Sequence, residues 1–421
     1  MFFLLMEGRF MEKHFFNHSA ASWLVLFTFS FSFCFGEIQI DANFPGGNIL
    51  VDSIHEGVVR VRPDLRDSND WFYYAFRVRG AEGETLKFVF DAPNRVGSRG
   101  PAISTDEGKT WRYLSSTPNF DSQKFTYSFQ EDGTSVIFAT AILYTQRNWD
   151  EFIADYRNHP SVKLGVLTQS RKGREVEVLQ IGAGNPGAKF AVALTCRHHS
   201  CEMTASFLLE GIIQEILSET PEGKWLRENA EFFIVPFVDK DGVEDGDQGK
   251  GRRPHDHNRD YHHEIYPEIR ALKAEIERKF SGKPLFFMDL HCPWIRSGMN
   301  EYLYSPMSPS EEMTKASKEF FAILEELQKE GEIPYRESWN LPFGKDWNTV
   351  RNYVKQENGI PTAGSKMWAM ELPNIIFAGT IEMPYSNSSG VEVTPRNARE
   401  LGRNTARSIE RFLRKTVRKE K

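Results

Sequence analysis

The chain has 421 residues, 40% hydrophobic and 26% charged, with a formal net charge of -6 from 52 basic and 58 acidic side chains. These are the proportions of a folded soluble protein, and they exclude a disordered tail, a collagen-like fibre and a polytopic membrane protein. The mildly acidic balance offers no electrostatic footprint for nucleic acid, so none is expected as a partner.

Lys13 precedes Ala20–Phe35, a stretch that is apolar or small throughout. It is short for a membrane span, which needs about 20 residues, and suits the core of a signal peptide. Residues 1–36 therefore read as an export signal cleaved near Gly36. That predicts a periplasmic or extracellular protein with no stable membrane partner after signal removal; a membrane-anchored form is the alternative. Once Cys34 leaves with the signal, Cys196, Cys201 and Cys292 remain, an odd number that forbids a complete disulfide framework.

Residues 37–150 read as all-β. The runs Ile49–Ile54, Gly57–Pro63, Phe72–Arg79, Leu86–Phe90 and Ser135–Ala141 alternate with turn clusters rich in Gly, Pro, Asn and Asp, as in a sandwich. A helix near Trp149–Arg157 follows, and the texture changes. Strands are predicted at Phe190–Thr195, Glu231–Val238, Pro284–Leu290 and Met367–Leu372. Helical spacing marks Met203–Ser218, Tyr266–Phe280, Glu311–Glu330 and Arg396–Lys421. The expected fold is α/β: a mixed, largely parallel central sheet flanked by helices over residues 151–421, preceded by an all-β sandwich domain over 37–150. The terminal helix carries ten Lys/Arg against three Glu and reads as a solvated face.

The chemistry concentrates at strand ends, where ligands gather in such sheets. His199 and Glu202 form a His-x-x-Glu pair between a buried strand and a helix, and His291 ends another buried strand. Zinc accepts imidazole nitrogen and carboxylate oxygen, and two His with one Glu leave the fourth tetrahedral position open, the catalytic arrangement. His198 competes, because His198-x-x-Cys201 is also a ligand spacing; a thiolate there would look structural. Asp256 is placed to accept the second ring N–H of His199. Asn258-Arg259 can hold a carboxylate, Arg as a bidentate fork and Asn through a further N–H. The acidic run from Asp239 to Asp247 lacks the EF-hand spacing, so a solvated loop is expected there rather than calcium. Glu371, in an apolar run, is a candidate for moving a proton from an attacking water to a leaving amine.

In this order His199-Ser-Cys-Glu202, an Asp-Gly-Val loop, an arginine, Asn258-Arg259, the strand-end His291 and Glu371 resemble the zinc carboxypeptidases. The similarity is closest to the cytosolic-carboxypeptidase-like branch, in which a β-sandwich precedes the catalytic domain. The resemblance implies one zinc per chain on His199, Glu202 and His291, with Asn258 and Arg259 on the substrate's terminal carboxylate. It implies Glu371 as general base and acid, Arg253 or Arg252 as the group that polarises the scissile carbonyl, and Tyr353 as the pocket tyrosine. It also implies that a basic pocket residue selecting acidic C-termini would be one of Arg351, Lys355 and Lys366. The partners expected are peptide or protein C-termini. Two other functions stay open: a zinc amidohydrolase that deacylates N-acyl amino acids on the same scaffold, and a non-catalytic binding module.

Overall fold

The computed structural model describes residues 37–132, 135–353, 356–357, 360–361 and 363–419. The expected signal segment, with Cys34, and Lys355 lie outside them. Residues Gly36–Lys421 form one compact unit.

The N-terminal part is a sandwich of two sheets. One holds Leu50–His55, Val58–Arg62, Thr85–Phe90 and Lys124–Ser128; the other is five-stranded, with Ala75–Arg79 and Val136–Ala139 at its centre. Alternation sends Phe76, Val78 and Phe138 from one sheet to meet Val59, Val61, Phe88 and Phe125 from the other. The opposite face of the five-stranded sheet is apolar too. Ala75, Ala102, Tyr113 and Ala139 join the core of the α/β part, so packing is continuous across residue 150.

The α/β part is built on a six-stranded sheet in the spatial order Val162–Gln169, Glu175–Ile181, Ala230–Val235, Phe190–Cys196, Leu285–His291, Ile375–Glu382. The last four strands are parallel and the first two run antiparallel at one edge. The central strands are apolar without interruption because both faces are covered. Val192, Leu194, Phe286 and Met288 face the helices Thr204–Leu217, Glu311–Gln328 and Pro395–Lys419. Ala191, Ala193, Leu285 and Phe287 face Pro267–Phe280 and the short helix Ser365–Ala369.

One predicted element is wrong. Met367–Leu372, expected as a strand, contains the end of the helix Ser365–Ala369, and the strand is Ile375–Glu382. A short apolar run has no periodicity long enough to separate the two.

The helices Thr204–Leu217 and Pro395–Lys419 touch through glycine. A Cβ on Gly211 would stand 2.0 Å from the Arg399 carbonyl oxygen, and one on Gly402 would stand 2.2 Å from that of Leu208. Gly211→Val is therefore expected to destabilise the fold by about 1–3 kcal/mol or more through overpacking. Urea unfolding measures this, and an unchanged midpoint would mean that the helices do not meet there.

Candidate active site

The parallel strand Phe190–Cys196 has its chain successors on both sides, Ala230–Val235 and Leu285–His291, so its carboxyl end is a topological switch point. A cleft of about 840 Å³ opens there.

The loop leaving this strand is fixed by Arg197, which takes a positive φ of 61°. Its buried guanidinium donates to the Ser200 carbonyl at 3.0 Å, the Tyr144 carbonyl at 2.9 Å and Ser206 Oγ at 3.1 Å. Pinned in this way, the loop turns His199 toward Glu202. Glu202 Oε1 lies 2.8 Å from His199 Nδ1, and Oε2 lies 2.7 Å from His291 Nδ1. Two ring nitrogens and a carboxylate oxygen thus converge within 4.8 Å of one another, all on buried residues. That donor set, with nitrogen and oxygen ligands from three residues, fits a divalent zinc with one position left open.

The far side of each ring is also held. His199 Nε2 faces Asp256 Oδ1 at 3.6 Å, and Asp256 Oδ2 accepts the Gly251 N–H at 3.0 Å. Burial alone would raise the Asp256 carboxyl; the His199 ring beside it and the Gly251 N–H hold it well below the usual carboxylate range. His291 Nε2 lies 2.6 Å from Asp289 Oδ2. Asp289 and His291 are two apart in one strand, so they share a face. The competing ligand His198 sits behind, fully buried between Asp289 Oδ1 at 2.9 Å and the Tyr261 hydroxyl at 2.8 Å. With Asp289 and His291 it forms a second group of possible donors, but His198 does not line the cleft. Cys196, Cys201 and Cys292 are buried free thiols, and burial pushes those of Cys196 and Cys201 up to about 12.

Asn258 and Arg259 line the cleft opposite. The Asn258 Oδ1 accepts the Ser365 N–H at 2.8 Å, which fixes its amide, and Asn258 Nδ2 reaches His291 Nε2 at 3.1 Å. Arg259 donates to the Asn258 carbonyl at 2.7 Å. Tyr353 borders the same cleft, its hydroxyl donating to Asn348 Oδ1 at 2.7 Å.

Three expected residues are arranged otherwise. Glu371 follows the short helix, its side chain is 59% exposed, and its carboxylate lies 3.3 Å from His262 Nε2. It is not among the residues that line the cleft. The carboxylate there is Glu382, paired in register with His291 on the neighbouring strand. Glu382 is 7% exposed and its Oε2 has no hydrogen-bond partner. Burial raises its carboxyl. The mistaken strand at 367–372 hid it; the run Ile375–Glu382, opening after Pro373-Asn374 and ending in an acid, was the available signal. Arg252 touches the edge of the cleft, but its guanidinium is committed to Asp239 Oδ2 at 3.0 Å and Asp247 Oδ2 at 3.1 Å. Arg253 is exposed. Sequence reasoning also missed Asp289, Lys250 and Trp71.

Comparison with known proteins finds carboxypeptidases. Residues 150–264 match the family model described as zinc carboxypeptidase. Cytosolic carboxypeptidase 2 of Xenopus tropicalis is 24% identical over 331 residues, covering 69% of this chain and 34% of that protein. Cytosolic carboxypeptidase 6 of Homo sapiens is 23% identical over 409 residues, 89% of this chain and 78% of that protein. This chain thus spans about a third of the first of these relatives. The crystal structure of a metallo-carboxypeptidase from Burkholderia cenocepacia superposes with a TM-score of 0.73 at 18% identity, over 90% of this chain and 100% of that one. The expected α/β fold with its preceding β sheets is therefore that of a metallocarboxypeptidase. The expectation of export is overturned: the matched relatives are named cytosolic carboxypeptidases. Residues 150–264 thus match a zinc carboxypeptidase, and the chain as a whole is similar to the cytosolic carboxypeptidases.

Proposed function

We propose that this protein is a zinc-dependent carboxypeptidase that removes residues one at a time from peptide or protein C-termini. The observation that carries the proposal is the convergence of His199, Glu202 and His291 at a cleft lined by Asn258, Arg259 and a buried, unpartnered carboxylate oxygen of Glu382.

His199, Glu202 and His291 would hold the zinc, with Asp256 and Asp289 fixing the two rings. Bound zinc supplies Lewis acidity, which polarises a carbonyl and lowers the pKa of water from about 15.7 toward 7. The side chains do the rest. Arg259 and Asn258 grip the free carboxylate, which makes cleavage exo rather than internal. Glu382 takes the proton of the attacking water and hands it to the leaving amine. Its raised pKa and free oxygen suit that exchange. Tyr353 closes one wall of the terminal subsite.

Of the basic candidates for reading the terminal side chain, Arg351 is exposed, whereas Lys366 lines the cleft and is buried. Its ammonium donates to the Pro306 carbonyl at 2.8 Å, and burial pushes its pKa down to about 8. Lys366 supports a preference for acidic terminal residues, which release of terminal Glu compared with Leu and Lys would test.

Glu382→Gln should lower kcat by about 10²–10⁴-fold while retaining zinc, since a general acid–base group is worth that much. Steady-state kinetics beside metal analysis decides this; full turnover would remove Glu382 from the mechanism. Peptides with an amidated C-terminus should lose at least about tenfold in kcat/KM, because charge-assisted hydrogen bonds are worth about 1.5–3 kcal/mol. Equal rates on free and amidated peptides would refute the carboxylate grip. Asp256→Asn should weaken zinc binding by about 10–100-fold in a chelator competition. An unchanged affinity would show that Asp256 does not support His199.

A further inference from the structure

We propose that Lys250, rather than an arginine, supplies the positive charge that faces the scissile carbonyl oxygen. The inference rests on the carboxypeptidase reading and adds a residue to it.

Five Lys and Arg side chains line the cleft among the described residues, and four are accounted for. Arg252 is bound to Asp239 and Asp247. Arg253 is exposed. Arg259 belongs to the carboxylate grip and Lys366 is tied to the Pro306 carbonyl. Lys250 is different. Its Nζ stands 3.6 Å from Glu202 Oε1, and the side chain is 27% exposed, open to the cleft.

The backbone explains why the lysine arrives there. Gly249 has φ +70°, and a Cβ on it would stand 2.2 Å from the Ser200 backbone nitrogen. The chain can approach the His199–Ser200 turn this closely only as glycine. Ser200 Oγ donates to the Asp247 carbonyl at 2.9 Å, which fastens the same approach. The next residue is then delivered beside Glu202. Trp71, in the segment that leads into the strand Ala75–Arg79, backs the ammonium with its ring 5.0 Å away, a cation–π contact that holds the long side chain in place.

In the reaction, the water oxygen forms its bond to the carbonyl carbon as Glu382 takes the proton. The C=O π pair moves onto oxygen, where the Lys250 ammonium donates a hydrogen bond to the developing negative charge. When that pair re-forms C=O, the C–N bond breaks and the proton passes from Glu382 to the amine. The charge is needed only while the oxygen carries it, so Lys250 should act on kcat more than on KM.

The test compares wild type, Lys250→Met, Lys250→Arg and Arg253→Met. The readouts are kinetics on a free C-terminal peptide, zinc content, and calorimetric binding of a phosphinic peptide, whose tetrahedral anion mimics the charged state. Lys250→Met should lose about 10²–10³-fold in kcat, the effect of removing one such donor, with KM within about threefold and zinc retained. Phosphinate binding should weaken in parallel, and Lys250→Arg should recover part of both. A fully active Lys250→Met, or unchanged phosphinate binding in that variant, overturns the assignment. So does an Arg253→Met that alone loses the activity. A wild type that releases no C-terminal residue overturns the carboxypeptidase reading itself, a result distinguishable from the others.

Discussion

A single buried carboxylate organises this half of the molecule. Asp289 is fully buried and would be costly there without partners. It accepts from Thr195 Oγ1 at 2.8 Å and from Ser365 Oγ, and it lies against both His198 and His291. Burial works against its charge, but the two rings hold its carboxyl well below the usual carboxylate range. These contacts reach the neighbouring strand, the loop after it, the strand's own end and the helix Ser365–Ala369. His199, His291, Ser365 and Lys366 enter the cleft from those pieces, so this side of the cleft depends on one charge that must stay hydrogen-bonded. Removing one partner from such a network costs more than the bond itself, because the remaining charge is left uncompensated.

Much of this was legible in the sequence, and the failures have a physical cause. The strand ends at Cys196 and His291 were readable because long apolar runs stop abruptly at polar residues, and the His-x-x-Glu spacing fixes a local geometry that tertiary contacts only refine. Asn258-Arg259 and Asp256 are local too. Glu382 was not found because the identity of the last strand depended on what covers it. Met367–Leu372 and Ile375–Glu382 are both short and apolar, and only packing against the sheet decides which is helix and which is strand. The arginines at 252 and 253 rest on the resemblance alone, as arginines that precede Asn258. The ion pairs that occupy Arg252 come from Asp239 and Asp247, which flank the short helix Lys240–Asp245, and no spacing reveals where that helix packs.

The cleft is also a problem in charge management. Its acids and bases share one cleft, and each has its own environment. Lys366 is driven toward neutrality by burial, Asp256 is kept ionised by its imidazole, and Glu382 is raised. Environments that push the pKa values of neighbouring groups apart are how one site can hold proton donors and acceptors together at one pH.

The shared core across residue 150 bears on how the chain comes into being. The Tyr113 hydroxyl donates to the Tyr385 carbonyl at 2.8 Å, and the Arg99 guanidinium reaches Asn387 and the Gly390 carbonyl. Nearly 300 residues separate these partners. The N-terminal sheets leave the ribosome first, but one of their apolar faces is covered only by segments synthesised later. At about 5–20 residues per second, that face waits for many seconds during translation. The nascent chain is then a half-finished surface that invites aggregation, and a chaperone able to shield it would matter more to the yield of this protein than to its final stability.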